Sequence, residues 1–273
     1  MIKLRVITRL ITFLVATLGI YAMWSIGQLI CLLRLQYQLR WRNFAFRTWA
    51  RGMCRIIGVR VNRLGNPPQA PFLLVTNHLS YVDIIAIASQ VDCTFVAKRQ
   101  VATWPLLGFM ARHLGIIFLD RNGIADVPRV ANVMRDAIQN GQGVVLFPEG
   151  TSSPGQTVLP FYSPLFEPVI QLDLPVWFSS VHYHSPDPAR PAHLAVCWWG
   201  DMTFLDHLLG LFALPYVDAQ LHFGATPIYE HHRKQLAKQL HAEISHIFVP
   251  SAAQDASLTY ANQGPAWLKM TGV

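Results

Sequence analysis

The sequence has little charge, and it lacks the cysteine patterns of secreted or zinc-binding proteins. Charged residues make up 14% of its 273 positions and hydrophobic residues 52%, a more apolar balance than that of a typical soluble protein. The four cysteines, Cys31, Cys54, Cys93 and Cys197, make neither a C-x-x-C pair nor a disulfide-like framework. These absences argue against a disulfide-stabilised scaffold and a cysteine-based metal module, and they favour a reducing compartment.

Acidic residues are also scarce. There are 15 aspartates and glutamates against 22 lysines and arginines, which gives a formal net charge of +7. A positive excess suits either nucleic acid or an anionic membrane surface. Because the basic residues crowd the first sixty positions, next to a long uncharged run, we expect lipid headgroups as the anion and no nucleic-acid partner.

The uncharged run covers residues 10–33, and basic residues flank it on both sides. A segment of this length can span a bilayer, which needs about 20 apolar residues, and it exceeds the apolar region of a cleavable signal peptide. We interpret it as a retained membrane anchor, with a cleaved signal peptide and an in-plane or re-entrant helix as alternatives. More arginines follow the run than precede it, so the positive-inside rule places the following domain in the cytoplasm.

The next segment, residues 34–57, mixes arginines with tryptophan, phenylalanine and leucine. This composition suits a helix at the level of the lipid headgroups, and a helix packed on the following domain is the alternative. The chain length suits one catalytic domain with appended structure. We therefore expect a membrane anchor and interfacial helix in residues 1–57, an enzymatic domain in residues 58–250 and a poorly ordered tail in residues 251–273.

From residue 58 onward, short apolar runs alternate with segments of helical periodicity. We predict strands at residues 59–61, 71–76, 93–97, 116–119, 144–147, 176–183, 194–199 and 217–223. We predict helices at residues 83–88, 104–113, 127–138 and 230–248. This alternation indicates an α/β domain with a mixed central sheet flanked by helices.

The first motif, N-H-L-S-Y-V-D at residues 77–83, directly follows an apolar run. Residues five apart lie roughly 140° around the axis of one helix and cannot meet there. We therefore expect His78 in the turn before a helix and Asp83 in its first turns, from where the carboxylate can orient the imidazole. Such a pair can act as a general base on a hydroxyl. By itself, the H-x4-D spacing also fits an ordinary turn histidine beside a helix-start aspartate.

Two further motifs lie at the ends of other predicted strands. The second is G-I-I-F-L-D-R at residues 115–121, and the third is F-P-E-G-T at residues 147–151. The guanidinium of Arg121 suits a phosphate or carboxylate, unless Asp120 is its ion-pair partner. Lys98, after another predicted strand, adds positive charge at the same edge of the sheet. The proline and glycine of the third motif mark a sharp turn that holds Glu149 where it can bond hydroxyls of a substrate.

The three motifs, in this order, resemble the leading sequence blocks of the glycerolipid acyltransferases. A proline-containing strand at residues 174–176 matches a fourth block, and the resemblance covers roughly residues 58–230. It implies a general base, an orienting carboxylate, a binder of the acceptor headgroup and a turn that shapes the acceptor site. The expected residues are the catalytic His78 and Asp83 and the substrate-binding Asn77, Lys98, Arg121, Glu149, Gly150 and Thr151.

The reaction that the resemblance implies is transfer of a fatty acyl group from a thioester of acyl carrier protein or coenzyme A to the hydroxyl of a lysolipid, with no further cofactor. The lysolipid hydroxyl has a pKa far above neutral, so a base must take its proton as the oxygen attacks. The sequence has no G-x-S-x-G motif and no cysteine close to His78 along the chain, which favours direct transfer over a covalent acyl-enzyme. We expect no metal, because no cysteine or carboxylate near His182 and His184 completes a ligand set.

Departures from the family's common pattern concern the acceptor. Many lysophosphatidic acid enzymes carry an arginine after the third motif and later a lysine and glycine, where this chain has serines at 152 and 153 and then Tyr162 and Ser163. Two cations that help to hold a phosphate are thus missing. The runs W-W-G-D-M at residues 198–202 and V-A-K-R at residues 96–99 look most similar to the bacterial branch that includes lyso-ornithine lipid acyltransferases. Asp201 then faces a cationic headgroup, or it simply caps a helix.

We therefore expect a membrane-bound O-acyltransferase of lyso-ornithine lipid, in the bacterial inner membrane with its catalytic domain on the cytoplasmic side. Its partners are membrane lipids, the lysolipid acceptor, and the thioester of acyl carrier protein or coenzyme A. One alternative is a 1-acylglycerol-3-phosphate O-acyltransferase, which makes phosphatidic acid. Another is a non-catalytic lipid-binding membrane protein. A lipid hydrolase is disfavoured, because a serine elbow and a metal set are missing.

Overall fold

The computed structural model describes residues 2–31, 35–103, 107–113, 115–119 and 126–253. Within them, seven strands form one sheet. They are β1 (Val59–Leu64), β2 (Phe72–Thr76), β3 (Cys93–Lys98), β4 (Ile117–Leu119), β5 (Gly143–Leu146), β6 (Val176–His184) and β7 (Val217–Phe223). The helices are α1 (Ile2–Ile30), α2 (Leu35–Ile57), α3 (Val82–Ala88), α4 (Leu107–His113), α5 (Val127–Gln139), α6 (Glu167–Ile170), α7 (Ala192–Ala195), α8 (Phe204–Ala213) and α9 (Arg233–Ile247).

The strand order in the sheet is β1-β7-β6-β2-β5-β3-β4. Strands β6, β2, β5, β3 and β4 run parallel, whereas β7 is antiparallel to β6 and pairs in parallel with β1. The predicted α/β fold with a mixed sheet is thus confirmed. The carboxyl ends of the five parallel strands meet at one side of the sheet, which we call the carboxyl edge. The first motif follows β2 and the third motif follows β5, so both lie at this edge.

The two faces of β2 belong to two different cores. Phe72 and Leu74 point into a core formed with α2, α3 and α8. Leu73 and Val75 point into a second core, formed with α5, α6 and α9. All five residues of the strand are buried, as expected for a central parallel strand that helices cover on both sides. This three-layer packing fixes the position of the turn that carries the first motif.

Helix α2 packs on the sheet domain. Its buried residues Phe46, Trp49, Met53 and Ile57 recur at helical spacing and join the first core. Its exposed Arg51 donates to the carbonyl of Ser89 at the end of α3, with an Nε–O distance of 3.0 Å. The described part of residues 34–57 therefore follows the alternative prediction, a helix packed on the domain.

Helix α1 runs antiparallel to α2 and lies along the domain. Trp49 Nε1 donates to Thr17 Oγ1 at 3.2 Å, and Trp41 Nε1 donates to the carbonyl of Trp24 at 3.1 Å. Near the start of the helix, the guanidinium of Arg9 donates to three carbonyls at the end of α8, those of Phe212, Leu214 and Pro215. The domain thus holds α1 at both of its ends.

The opposite face of α1 is apolar and exposed. It presents Leu4, Ile7, Ile11, Leu14, Val15, Leu18, Ile26, Leu29 and Ile30. Within the ranges that the structure describes, α1 is the one helix long and apolar enough to cross a bilayer. An exposed apolar surface of this extent is consistent with association with a membrane.

Some predicted elements differ from the structure. The strand predicted at residues 194–199 is wrong: the chain forms α7 and then an irregular segment, because the amide of Trp198 bonds to the carbonyl of Leu79 at 2.8 Å instead of to a strand. Helix α8 was not predicted. The ordered chain also extends past residue 250, since the amides of Ser251 and Ala252 donate to the carbonyl of Gly155. Residues 254–273 of the predicted tail, and 104–106 of a predicted helix, lie outside the described residues.

Candidate active site

The first motif forms the turn between β2 and α3. His78 lies in this turn and Asp83 lies in the first turn of α3. The Nδ1 atom of His78 is 2.7 Å from Oδ2 of Asp83, so the carboxylate reaches back to the imidazole as the spacing predicts. His78 keeps 21% of its side-chain surface exposed, whereas Asp83 is fully buried. One side of the ring therefore faces its partner while the residue remains accessible.

Four donors converge on the carboxylate of Asp83. Besides the imidazole, Oδ2 accepts the backbone N–H groups of Leu79 at 2.7 Å and Ser80 at 3.0 Å. Oδ1 accepts the hydroxyl of Tyr183, on β6, at 2.7 Å. Because an ionised carboxylate only accepts hydrogen bonds, Nδ1 of His78 carries the proton in this pair. The lone pair of Nε2 is then the basic site of the ring.

The third motif packs against the imidazole. The rings of His78 and Phe147 stack with centroids 4.2 Å apart and an interplanar angle of 26°. The backbone of His78 is also bonded to this region, since its carbonyl accepts the N–H of Ser153 at 3.0 Å. These contacts limit the rotation of the ring and join two motifs that are about seventy residues apart in the sequence.

Glu149 lies in the same turn, beside the backbone of His78. Its Oε1 accepts the N–H of His78 at 3.3 Å, and the residue is 8% exposed. Burial, and to a lesser degree the charge of Asp83, raises the pKa of Glu149 to about 9, although hydrogen bonds from His78 and Leu159 oppose the shift. The carboxyl is therefore neutral near pH 7. Among the described residues, its buried Oε2 atom has no hydrogen-bond partner.

Asn77, the first residue of the motif, is completely buried. Its side-chain amide donates to the carbonyl of Val181 at 3.0 Å, and its oxygen accepts the N–H of Val181 at 2.7 Å. These two bonds continue the pairing of β2 with β6 beyond the end of β2. The geometry thus indicates a positioning role, and direct substrate contact by Asn77 stays a prediction.

The other predicted residues that the structure describes, Lys98, Gly150 and Thr151, lie at or near the carboxyl edge. Lys98 is the last residue of β3, is exposed, and pairs in register with Leu119 of β4. Gly150 is buried with a φ of 74°, which glycine adopts without strain, and Thr151 next to it is exposed. Arg121 and Asp120 lie outside the described residues. The structure therefore brings the first and third motifs together and places the end of β3 at the same edge.

The W-W-G-D-M run at residues 198–202, which sequence analysis connected with the acceptor only through Asp201, begins with a tryptophan that packs on the turn of the first motif. The carbonyl of Trp198, whose amide bonds to Leu79, also accepts the hydroxyl of Ser152, which follows the third motif. Tyr81 donates its hydroxyl to Nδ1 of His207 at 3.0 Å, and Nε2 of His207 donates to the carbonyl of Cys197 at 3.0 Å. No local sequence signal marks these contacts, since they join residues far apart in the chain.

The protonation state of His207 follows from these partners. Burial lowers the pKa of His207 to about 4. The ring is therefore neutral near pH 7, with its proton on Nε2 facing a carbonyl and its Nδ1 lone pair facing the hydroxyl of Tyr81. His207 acts as a fixed connector between the first motif and α8.

The described residues contain no group of three or more histidine, cysteine or acidic side chains that could hold a metal ion. His182 instead bonds through Nδ1 to the carbonyl of Val249, at 3.0 Å. His184 lies 3.6 Å from the carboxylate of Asp218.

The fold and this site define a class of enzyme. A partly exposed histidine, held by a buried carboxylate at the edge of an α/β sheet, is suited to activating a hydroxyl for acyl transfer. The chain belongs to the acyltransferase family: the Acyltransferase family model matches residues 58–179. It is an enzyme of the lysophospholipid or 1-acylglycerol-3-phosphate acyltransferase type.

The names of the similar proteins give two different acceptor lipids. The chain is 30% identical over 225 residues to a lyso-ornithine lipid O-acyltransferase of Rhizobium meliloti, a match that covers 77% of this chain and 76% of the relative. It is 31% identical over 168 residues to a 1-acyl-sn-glycerol-3-phosphate acyltransferase of Neisseria meningitidis, covering 58% of this chain and 66% of that one.

A solved structure supports the fold. The 1-acyl-sn-glycerophosphate acyltransferase of Thermotoga maritima superposes with a TM-score of 0.64 at 18% sequence identity. The match covers 90% of this chain and 97% of that protein.

Proposed function

We propose that the protein transfers a fatty acyl group from a thioester of acyl carrier protein or coenzyme A to the hydroxyl of lyso-ornithine lipid, with His78 as the general base. One observation carries this proposal. The Nδ1 proton of His78 faces a buried carboxylate that accepts three further hydrogen bonds, and Nε2 has no hydrogen-bond partner among the described residues. This is the arrangement of a histidine that takes a proton at Nε2.

The bonds of the proposed reaction balance without a covalent enzyme intermediate. Nε2 of His78 takes the proton of the lipid hydroxyl as its oxygen attacks the thioester carbonyl. The tetrahedral intermediate collapses, the C–S bond breaks, and the imidazolium returns the proton to the departing sulfur. The products are the ester and the free thiol. Asp83 stabilises the imidazolium between the two proton transfers, and a base in this position contributes typically 10²- to 10⁴-fold.

Glu149 supports binding of the acceptor in this proposal. Its neutral carboxyl, bonded to the backbone of His78, can donate its proton to an oxygen of the lipid. Gly150 and Thr151 complete the same turn. Lys98, at the exposed end of β3, adds positive charge at the carboxyl edge. Arg121, which lies outside the described residues, stays the predicted binder of the acceptor headgroup.

Two observations support lyso-ornithine lipid over lysophosphatidic acid as the acceptor. The match to the lyso-ornithine relative covers more of the chain, at nearly the same identity, than the match to the glycerophosphate relative. In addition, Ser152 stands where many phosphate-binding relatives have arginine, and its hydroxyl donates to the carbonyl of Trp198. Lysophosphatidic acid is the second candidate, because relatives of both kinds match.

The membrane position of the enzyme is part of the proposal. A helix that crossed the bilayer would extend away from the domain. Helix α1 instead contacts α8 at Arg9 and α2 at Thr17 and Trp24. We therefore place α1 in one leaflet, with its exposed apolar face in lipid and the catalytic domain on the cytoplasmic side of the inner membrane. This arrangement brings the site to a substrate that is itself a lipid.

The deciding experiment measures acyl transfer by membranes that contain the protein. Labelled acyl carrier protein is the donor, lyso-ornithine lipid and lysophosphatidic acid are offered side by side, and His78→Ala is the control. We expect transfer to lyso-ornithine lipid that the substitution abolishes. Preference for lysophosphatidic acid would overturn the acceptor and keep the mechanism. Transfer that is unchanged in the His78→Ala variant would overturn the base assignment. No transfer by the native protein would favour a lipid-binding protein.

A further inference from the structure

Tyr183 lies at the end of β6, one hundred positions from Asp83, and the fold brings them together. The tyrosine is 1% exposed, and its hydroxyl donates to Oδ1 of Asp83 at 2.7 Å. The imidazole of His78 is bonded to the other oxygen, Oδ2. The buried tyrosine and the imidazole therefore bond to different oxygens of one carboxylate, and the hydroxyl acts on the reaction through Asp83.

We propose that Tyr183 is a positioning residue for the acyl transfer, which sets the orientation and the proton affinity of His78 through Asp83. This inference rests on the proposed function, since it needs His78 to be the base. Four donors divide the carboxylate between them: Oδ1 accepts the hydroxyl of Tyr183, and Oδ2 accepts the imidazole and the two turn amides. Loss of the hydroxyl would leave Oδ1 buried without its donor, so that the negative charge of Asp83 would be compensated only by the contacts at Oδ2.

The same hydrogen bond limits how strongly Asp83 attracts a proton to the imidazole. A hydrogen bond to a carboxylate disperses its negative charge. Without it, the charge next to Nδ1 increases and the imidazolium becomes more stable. His78 would then hold its proton to a higher pH, and less free base would exist near neutrality. Burial and the neighbouring Asp83 charge raise the pKa of Tyr183, so its hydroxyl stays protonated and serves as a donor across the working range of pH.

The other titratable groups packed around this pair remain uncharged near neutral pH. Burial raises the pKa of Cys54, on α2, to about 11, and it raises the pKa of Cys197, after α7, well above its ordinary value. Glu149 is protonated, and His207, bonded to Tyr81 on the same turn, is neutral. In the described part of the site, Asp83 is thus the charged group bonded to His78, and Tyr183 is the side-chain hydroxyl bonded to Asp83.

Tyr183 is itself held firmly. Its backbone N–H donates to Oγ of Ser251 at 2.8 Å, and the amide of Ser251 donates to the carbonyl of Gly155. On the other side, β6 pairs with β2, and Val181 bonds twice to the side chain of Asn77. The tyrosine hydroxyl is therefore presented to Asp83 by a strand that is fixed to the catalytic turn and to the chain after α9.

The test is the pH dependence of kcat/KM for Tyr183→Phe, a change that removes the hydroxyl and keeps the ring. We expect the acid limb of the pH profile to shift to higher pH by about one unit. At pH values below the limb, kcat/KM should therefore fall about tenfold. We expect the loss to shrink at higher pH and the KM for the acceptor to stay within about twofold. A merely structural role would lower activity equally at every pH.

Tyr229→Phe is a matched control, because Tyr229 also donates to an aspartate, Asp173, at 2.7 Å but at an exposed site. It should leave the profile unchanged. If Tyr183→Phe folds poorly, 3-fluorotyrosine at position 183 keeps the size and strengthens the donor, and it should move the acid limb the opposite way. An unmoved limb in the variants that fold would overturn the inference. If His78→Ala itself retains transfer, the proposed function fails instead.

Discussion

The backbone N–H of His78 donates to Oε1 of Glu149 at 3.3 Å, so the turn after β5 is bonded to the residue that carries the imidazole. This carboxyl is buried and its pKa is raised to about 9. Burial, and not this hydrogen bond, makes Glu149 a neutral group beside a histidine. It also makes the stability of the fold at this position dependent on pH.

Glu149→Gln should remove part of that dependence. Between pH 4.5, the ordinary value, and about 9, the folded protein keeps a proton on Glu149 that the unfolded chain releases. The stability of the native protein therefore falls as pH rises through this window, by up to about 1.4 kcal/mol per pH unit. Thermal unfolding at pH 5, 7 and 8.5 should show the variant gaining Tm relative to the native protein as pH rises. Parallel curves would contradict the buried neutral state.

His207→Gln should change the response to acid. The folded-state pKa of His207 is about 4, against an ordinary value of 6.5, so the unfolded chain binds a proton between these values that the folded protein does not. Stability from the neutral ring is complete above pH 6.5 and is lost as pH falls towards 4. Glutamine keeps a donor and an acceptor without titrating. The Tm difference between native protein and variant should therefore shrink between pH 7 and pH 5, and a constant difference would exclude this titration.

Arg9→Ala should release the start of α1 from the domain. The guanidinium donates to carbonyls of Phe212, Leu214 and Pro215 at distances of 3.0, 2.6 and 3.0 Å. Loss of hydrogen bonds to a charged group costs about 1–3 kcal/mol. We expect a lower Tm and faster hydrogen exchange in the first half of α1. Arg63→Ala, at an exposed position on β1, is the control, and equal effects of the two changes would count against a specific role of Arg9.

Cys31, after the end of α1, tests the position of this helix in the membrane. Among the described residues it is the one cysteine that is not buried, which makes it a natural label site. If α1 lies in one leaflet, Cys31 and a cysteine introduced as Lys3→Cys, in a Cys31→Ser background, should react with an impermeant maleimide from the cytoplasmic side. Detergent-solubilised protein should label in both cases. Reaction of the two positions from opposite sides would show that α1 spans the bilayer.

Much of the site could be predicted from local sequence. The continuous apolar run of β2 and the turn after it are encoded by neighbouring residues. The five-residue spacing of His78 and Asp83 is incompatible with one helix, so it requires the turn geometry that the structure shows. The alternation of strands and helices likewise gave the α/β fold, because hydrophobic periodicity is a property of short segments.

Other features could not be predicted, because they depend on contacts between distant segments. The strand predicted at residues 194–199 has suitable side chains, but Trp198 is held by the catalytic turn instead of a neighbouring strand. Tyr183 becomes the partner of Asp83 because β6 lies next to β2 in the sheet. No property of either residue alone reveals that order.

The sequence by itself therefore determined which side chains supply the chemistry and the local turn that joins His78 to Asp83. The tertiary structure decided which of them are buried and what surrounds them. It raised the pKa of Glu149, neutralised His207 and gave Asp83 its hydroxyl donor, Tyr183, because burial and long-range hydrogen bonds arise only when segments about seventy to one hundred and thirty residues apart pack together.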